Sequence, residues 1–347
     1  MTEIQQWADA AQFKAEPMRE PGISVSLLWM TPDPLGAIAA ACRMYEGYPT
    51  YDLNDITDER RSHYFEQVEK THLKAPLEFV KFHFFLEGVD RAFTHQMVRQ
   101  RTAVYAQESM RFAVKEDLSA ETPLPPSLMG LKEDDPRVLA WRRALSGVEE
   151  AYNQLVNSGV PAEDARGLLP HATTTRLNYS TDLRALLDHA GNRLCTQAQY
   201  HWRVVFTKIR QAIREFPMEE TKRSWTKQTG GHPDDMPFSR SEIDNAWQFD
   251  RLAELFLPVC YQMGKCPFKA QFDRGCSIRE RVDGFEEKGV PSSQWHEGWE
   301  SEDSHLSPSG EPSEKIDPID PAEWLLNPDA ARVRVGDEYG DQSRRRG

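Results

Sequence analysis

Between Arg99 and Arg111 the chain reads RQRTAVYAQESMR, which sets three arginines, a serine, two glutamines and a glutamate within thirteen residues. Guanidinium groups keep their charge at neutral pH and present donors in fixed pairs, which suits phosphate. Arg99 and Arg101 are two apart. A helix would send them to different sides, whereas a turn or an extended segment could aim both at one ligand. Ser109 and nearby free backbone N–H groups would add neutral donors. These residue types point to an anion pocket for a phosphorylated small molecule. The competing reading is a solvated surface run with incidental arginines.

The elements around the segment favour the pocket. Phe82, Phe84 and Leu86 alternate as in a strand, Gly88 reads as a break, and Val89, Ala92, Phe93, Met97 and Val98 recur at helical spacing. A strand, a break and a helix would deliver the arginines to the end of a packed element. Upstream, residues 23–31 read as a strand, Pro34 opens a short helix that ends before Gly47, and a charged helix runs from Ile56 toward His72. Residues 114–134, with Pro123, Pro125 and Pro126, read as a surface connection. Asp135 and Pro136 open a long amphipathic helix through Val138, Leu145, Tyr152 and Leu155, closed near Gly159. A short helical piece follows Pro161 and ends by Pro170, with Glu163 and Arg166 on one face. From about Asp182 a second long helix turns Leu183, Leu186, Leu187, Ala190 and Leu194 inward. Asp182 and Arg193, three turns apart, share a face. Residues 241–264 read as one more helix.

Composition sets bounds. The chain has 347 residues, 39% of them hydrophobic, with nine Trp and sixteen Phe, enough to build a core for one or two domains. No apolar run reaches membrane-spanning length and the N-terminus MTEIQQWADAAQ is too polar for a signal peptide, so a cytoplasmic protein is expected. The net charge of −13 is concentrated between Glu297 and Asp341, where thirteen acidic residues face three basic ones. No broad basic face marks a nucleic-acid binder. Five scattered cysteines do not make a secreted disulfide framework. The intervals between Cys260, Cys266 and Cys276 do not match common zinc spacings, so no metal site is expected.

These residues resemble the flavin-dependent thymidylate synthase (ThyX) family. Its signature is arginine, histidine, arginine, seven residues and a serine; here Arg99, Gln100 and Arg101 precede Ser109 at that spacing, with Arg111 after it. His72, Glu78 and Gln96 fall in the family's order. EDARGLLP supplies Glu163 and Arg166 in its Glu-x-x-Arg-x-x-Leu-Pro arrangement, and Arg184, Leu186, Arg193, Ala198 and Gln199 match a later helix. The likeness covers roughly residues 23–215.

The resemblance implies an α/β (α+β) fold, a central, mostly antiparallel sheet flanked by long helices, assembled as a homotetramer with shared active sites. It implies FAD as cofactor, NADPH and 5,10-methylenetetrahydrofolate as cosubstrates, and methylene transfer to C5 of dUMP with reduction to dTMP. With the likeness assigned to a catalytic domain over 1–235, the change in sequence character beyond it reads as a helical cysteine-containing extension over 236–285 and an acidic, Pro/Ser/Glu-rich, largely disordered tail over 286–347. By the same likeness Arg193 polarises the pyrimidine. Gln96, Arg99, Gln107, Glu108, Ser109, Met110, Arg111 and Arg166 bind substrate. His72, Arg99, Gln100, Arg101, Asp182, Arg184, Asp188 and Gln197 contact the cofactor. Ser109 reads as a phosphate donor, since no histidine base stands beside it. Gln100 replaces the signature histidine, Gln107 an expected glutamate, Asp182 and Asp188 two asparagines, and Gln197 a histidine. An acid in place of an amide loses a donor and gains an acceptor. Such swaps open two alternatives: another pyrimidine (UMP or dCMP) or a hydroxymethylated product, and a homologue that binds nucleotide without catalysis.

Overall fold

The computed structural model describes residues 22–195, 198–263 and 267, together with the backbone of residues 13–14. In chain order the elements are β1 (Phe13–Lys14), β2 (Ser24–Met30), α1 (Pro34–Tyr45), α2 (Asp58–Lys70), β3 (Lys81–Asp90), α3 (Arg91–Met97), β4 (Val104–Gln107), β5 (Ala113–Val114), α4 (Leu118–Glu121), α5 (Pro136–Asn157), α6 (Ala162–Ala165), β6 (Thr174–Asp182), α7 (Leu183–Arg193), α8 (Tyr200–Thr229), α9 (Ala246–Glu254) and α10 (Val259–Met263). The main sheet has the order β2-β3-β6-β4, with every neighbouring pair antiparallel. The α+β architecture with a central antiparallel sheet and long flanking helices is therefore as the sequence led us to expect.

One face of the sheet carries the core. Phe82, Phe84 and Leu86 of β3, Leu177 and Tyr179 of β6 and Leu27 of β2 pack with Leu35 and Ile38 of α1, Leu183, Leu186 and Ala190 of α7, and Trp202, Phe206, Ile209 and Ile213 of α8. Rings run in series across the strands: Phe84 to Tyr179 at 6.0 Å and Tyr179 to Tyr105 at 5.4 Å between centroids. Each such side chain, fully buried, contributes about 2–3 kcal/mol. On the opposite face His83, Arg176, Asn178 and Ser180 stay half-buried and Lys81 is exposed.

Two aspartates end strands and start helices. Asp90 accepts from the Phe93 N–H at 2.6 Å and Asp182 from the Ala185 N–H at 2.9 Å. Each cap satisfies one orphan donor of a helix start, worth about 1 kcal/mol. Because β3 and β6 are neighbours, the caps seat α3 and α7 on adjacent strands, and these two helices carry most of the candidate site.

Several expectations need correction. Gly88 does not end its strand. It has φ +75°, sits at a register shift between Leu86 and Val89, and a Cβ there would lie 2.0 Å from the Gly22 carbonyl oxygen, so β3 continues through a bulge that only glycine fits. The stretch 114–134 is not wholly surface, since Lys115, Leu118, Glu121 and Thr122 are buried. Residues 241–264 form two helices, α9 and α10, because Pro258 interrupts the run. Phe249 and Leu252 of α9 join the same core as the sheet. Cys260 is buried, whereas Cys266, Cys276 and the acidic tail lie outside the described residues. No described helix is long and apolar enough to cross a membrane.

Candidate active site

The turn after α3 settles how Arg99 and Arg101 are displayed. Backbone N–H groups of Arg99 and Gln100 donate to Gln96 and Met97 carbonyls at 3.2 and 3.1 Å, closing a tight turn. Between the two arginines, Gln100 is buried. Its Nε2 donates to the Ala185 carbonyl at 3.1 Å, and its Oε1 accepts from the Tyr179 hydroxyl at 3.0 Å and the Tyr105 hydroxyl at 3.3 Å. Arg99 and Arg101 are exposed, with no acceptor for either side chain among the described residues. The Gln100 amide is thus engaged inside the fold, where it ties α7 to β4 and β6 and leaves its neighbours facing out.

The second half of the segment builds an anion site. Ser109 Oγ accepts from the Arg111 N–H at 3.3 Å, and the Ser109 carbonyl accepts from Phe112 and Ala113, so the serine heads a tight turn. Arg111 pairs with Glu163 at 2.9 Å, and Arg166 Nε donates to the Glu163 carbonyl at 3.0 Å, so both guanidinium groups meet at Glu163. Arg91, the first residue of α3, completes the group and was not read from the sequence. It donates weakly to the Glu108 carbonyl at 3.5 Å. Burial first, then repulsion from Arg166, pulls its pKa down. Guanidinium groups that repel one another across a half-buried space are placed to share an anion. No histidine hydrogen-bonds the Ser109 hydroxyl among the described residues, in keeping with a donor rather than a nucleophile.

Three neighbours read as substrate contacts have partners within the chain or are buried. The Glu108 carboxylate faces the buried Lys115 ammonium at 3.2 Å, which also meets Glu121 at 3.1 Å. Gln107 Nε2 donates to the Thr94 hydroxyl at 2.9 Å, and Met110 is buried.

At the other end of α3, Gln96 is exposed, its Oε1 accepting from the Trp202 indole N–H at 2.9 Å and its Nε2 donating to Gln199 Oε1 at 2.8 Å. Arg193, last in α7, lies with its guanidinium carbon 4.2 Å from the Trp202 ring centroid. It has no carboxylate partner among the described residues, and burial lowers its pKa. His201 Nδ1 stands 3.2 Å from Asp90. Asp182, expected at the flavin, is the cap of α7 and pairs with Lys81 at 3.3 Å. Arg184 pairs with Glu78 at 2.6 Å. His72 and Asp188 are exposed, and Gln197 lies outside the described residues. No group of metal ligands occurs among the described residues.

His189 was also missed by sequence reading. Its ring lies 6.0 Å from Trp202 and 6.5 Å from Phe206, and its Nδ1 is buried without a partner among the described residues. Burial, and secondarily the charge of Arg193, pushes it down to about 4. The unfolded chain therefore binds the extra proton, so stability is full above about pH 6.5 and falls as pH drops toward about 4. His189→Phe should keep the ring packing, raise stability at pH 7 by about 1 kcal/mol, and flatten the fall in Tm between pH 7 and pH 5. Melting curves with unchanged acid sensitivity would refute this role.

Residues 26–217 match the family model described as "Thymidylate synthase complementing protein". The chain is 29% identical over 196 residues to a flavin-dependent thymidylate synthase of Geobacter sulfurreducens, covering 55% of this chain and 82% of the relative. It is 33% identical over 259 residues to one of Thermococcus kodakarensis, covering 74% and 93%. A crystal structure of Helicobacter pylori ThyX, complexed with FAD and dUMP, aligns with 18% identity and a TM-score of 0.43 over 55% of this chain and 93% of that one. The site thus belongs to a nucleotide-processing enzyme of α+β class. The chain is a member of the thymidylate synthase complementing protein family, the flavin-dependent thymidylate synthases.

Proposed function

We infer that this enzyme, a FAD-dependent thymidylate synthase, uses the arginines gathered around α3 to hold its nucleotide and flavin. The observation that carries the reading is their display: among the described residues Arg99 and Arg101 are exposed without acceptors, Arg111 and Arg166 meet at Glu163 with Arg91 close enough to Arg166 to feel its charge, and Arg193 is half-buried without an acid. Helix α3 has seven residues and spans about 10 Å, with Arg91 at its first position and Gln96 in its last turn.

Ser109, Arg111, Arg166 and Arg91 would take the nucleotide phosphate, with Arg99 at its margin. Gln96 would meet the base. C5 of uracil is a poor nucleophile until negative charge develops on the ring, and Arg193 would stabilise that charge electrostatically. The residues fit FAD: Arg101 and Arg99 offer exposed guanidinium groups, unpaired among the described residues, for its pyrophosphate, and Arg184 lies exposed on the first turn of α7. When bound, FAD supplies the hydride that reduces the transferred carbon. His72, exposed beyond α2, would lie at the flavin or the folate. NADPH as reductant, methylenetetrahydrofolate as carbon donor and a homotetramer with shared sites complete the proposal. The outward arginines and the polar second face of the sheet support that assembly.

Incubation with FAD, NADPH, methylenetetrahydrofolate and dUMP, UMP or dCMP in turn, read by mass spectrometry, tests it. Protein that is yellow with flavin bands and converts dUMP to dTMP is the expected result. Product from another pyrimidine, or a hydroxymethylated base, would move the specificity. Protein that ignores added FAD and forms no product would overturn the reading.

A further inference from the structure

Trp202 holds a position that core packing alone does not require. It is fully buried, wedged against Phe93 at 4.4 Å and Phe206 at 5.9 Å between centroids, so its indole has no room to swing. Its ring face is presented to Arg193 at 4.2 Å, and its single polar atom donates to Gln96 Oε1 at 2.9 Å. A leucine or phenylalanine could fill such a space; only tryptophan supplies both a large π face for a guanidinium and an N–H.

We propose that Trp202 is a positioning residue that sets Arg193 and Gln96 together for the pyrimidine. The proposal rests on the reading of Arg193 as the ring-polarising group. Stacking covers one face of the guanidinium and leaves its in-plane N–H donors free at the rim, the arrangement that suits bidentate contact with a flat acceptor edge. Arg193 has no carboxylate to fix it among the described residues, so the stack is what orders it. The indole N–H likewise decides which way round the Gln96 amide sits. Oε1 is drawn to Trp202 and Nε2 to Gln199 at 2.8 Å. One N–H and one lone pair of Gln96 remain, a donor and an acceptor side by side that match an amide edge of a pyrimidine. Two separate contacts to the base are thereby indexed to one immobile ring.

Trp202→Phe keeps a π face and removes the N–H; Trp202→Leu removes both. With flavin content and Tm as folding controls, Trp202→Phe should raise KM for dUMP, and weaken dUMP binding measured by calorimetry, by about 5–10-fold. Its kcat should change little. Trp202→Leu should in addition lower kcat by about 30-fold. In a Gln96→Leu background Trp202→Phe should add little, because the indole N–H acts on the base only through the Gln96 amide. Wild-type kcat in folded Trp202→Leu, or additive effects of Trp202→Phe and Gln96→Leu, would overturn the proposal. Should Trp202→Leu fail to fold, the stack remains testable on the native holoenzyme. The Arg193 side-chain N–H resonance should be shifted upfield by the indole ring current, and an unshifted resonance would overturn the stack. Arg193→Ala separates the two readings. Full turnover in it would sink the ring-polarising role itself, whereas an inactive Arg193→Ala beside unaffected Trp202 variants would sink only the proposal for Trp202.

Discussion

Arg193→Ala should lower kcat by about 100- to 1,000-fold while leaving bound flavin and the melting temperature near native. The magnitude is that of removing one preorganised donor from a site of developing charge, about 2.7–4 kcal/mol of transition-state stabilisation. The direction follows from its surroundings. Arg193 sits at the C-terminal end of α7, where a cation complements the helix dipole, and no described carboxylate neutralises it. Burial lowers its pKa, yet a guanidinium starts so far above neutrality that it remains charged at pH 7. A half-buried, fixed, unneutralised cation is costly to keep and does most for charge that arises only during reaction. Arg193→Lys keeps the charge but not the plane that stacks on Trp202, so it should recover only part of the loss. Steady-state kinetics with dUMP, against flavin absorbance as a folding control, reads both variants. If the alanine variant turns over at the native rate, the arginine is not part of the chemistry.

How far the sequence could reveal this site depends on which forces fix each residue. The arginines and Ser109 were legible because their chemistry is carried by type and spacing. The inward turn of Gln100 was not, since it depends on Tyr105, Tyr179 and the Ala185 carbonyl, partners from three other elements. Strand β3 was legible from Phe82, Phe84 and Leu86, but Gly88 looked like an end because a bulge and a break share the same residue. Strand β6 escaped notice because its buried side reads Thr175, Leu177, Tyr179 and Thr181, where hydroxyl-bearing residues mask the alternation. Helix α8, at 30 residues, carries Pro217 in its interior, a residue that argues against a helix on local grounds. With α8 unread, Trp202 and His201 had no frame that could bring them to Gln96 and Asp90. Arg91 escaped for a similar reason, because its role appears only when α6 brings Glu163 and Arg166 across to it. Tertiary packing, not local preference, decided each of these.

Lys115→Met should destabilise the fold by about 3–5 kcal/mol, the cost of breaking a buried ion cluster by removing one partner. Lys115 is 1% exposed and holds Glu108 at 3.2 Å and Glu121 at 3.1 Å. Thr174 and Thr175 donate hydroxyls to the two carboxylates at 3.1 and 3.5 Å, and the Lys115 N–H reaches the Tyr152 hydroxyl at 3.4 Å. Without the ammonium, the two carboxylates lose the partner that offsets their burial. Adding Glu121→Gln to Lys115→Met removes one of the two charges and should restore part of the stability. Denaturant unfolding of the three proteins checks this, and a deficit that ignores the second substitution would show that the cluster is ordinary packing. Because Glu108 directly precedes Ser109, loosening it should also raise KM for the nucleotide in whatever fraction of the variant folds, with a smaller change in kcat. The same buried lysine thus bears on how firmly the fold holds the turn at Ser109.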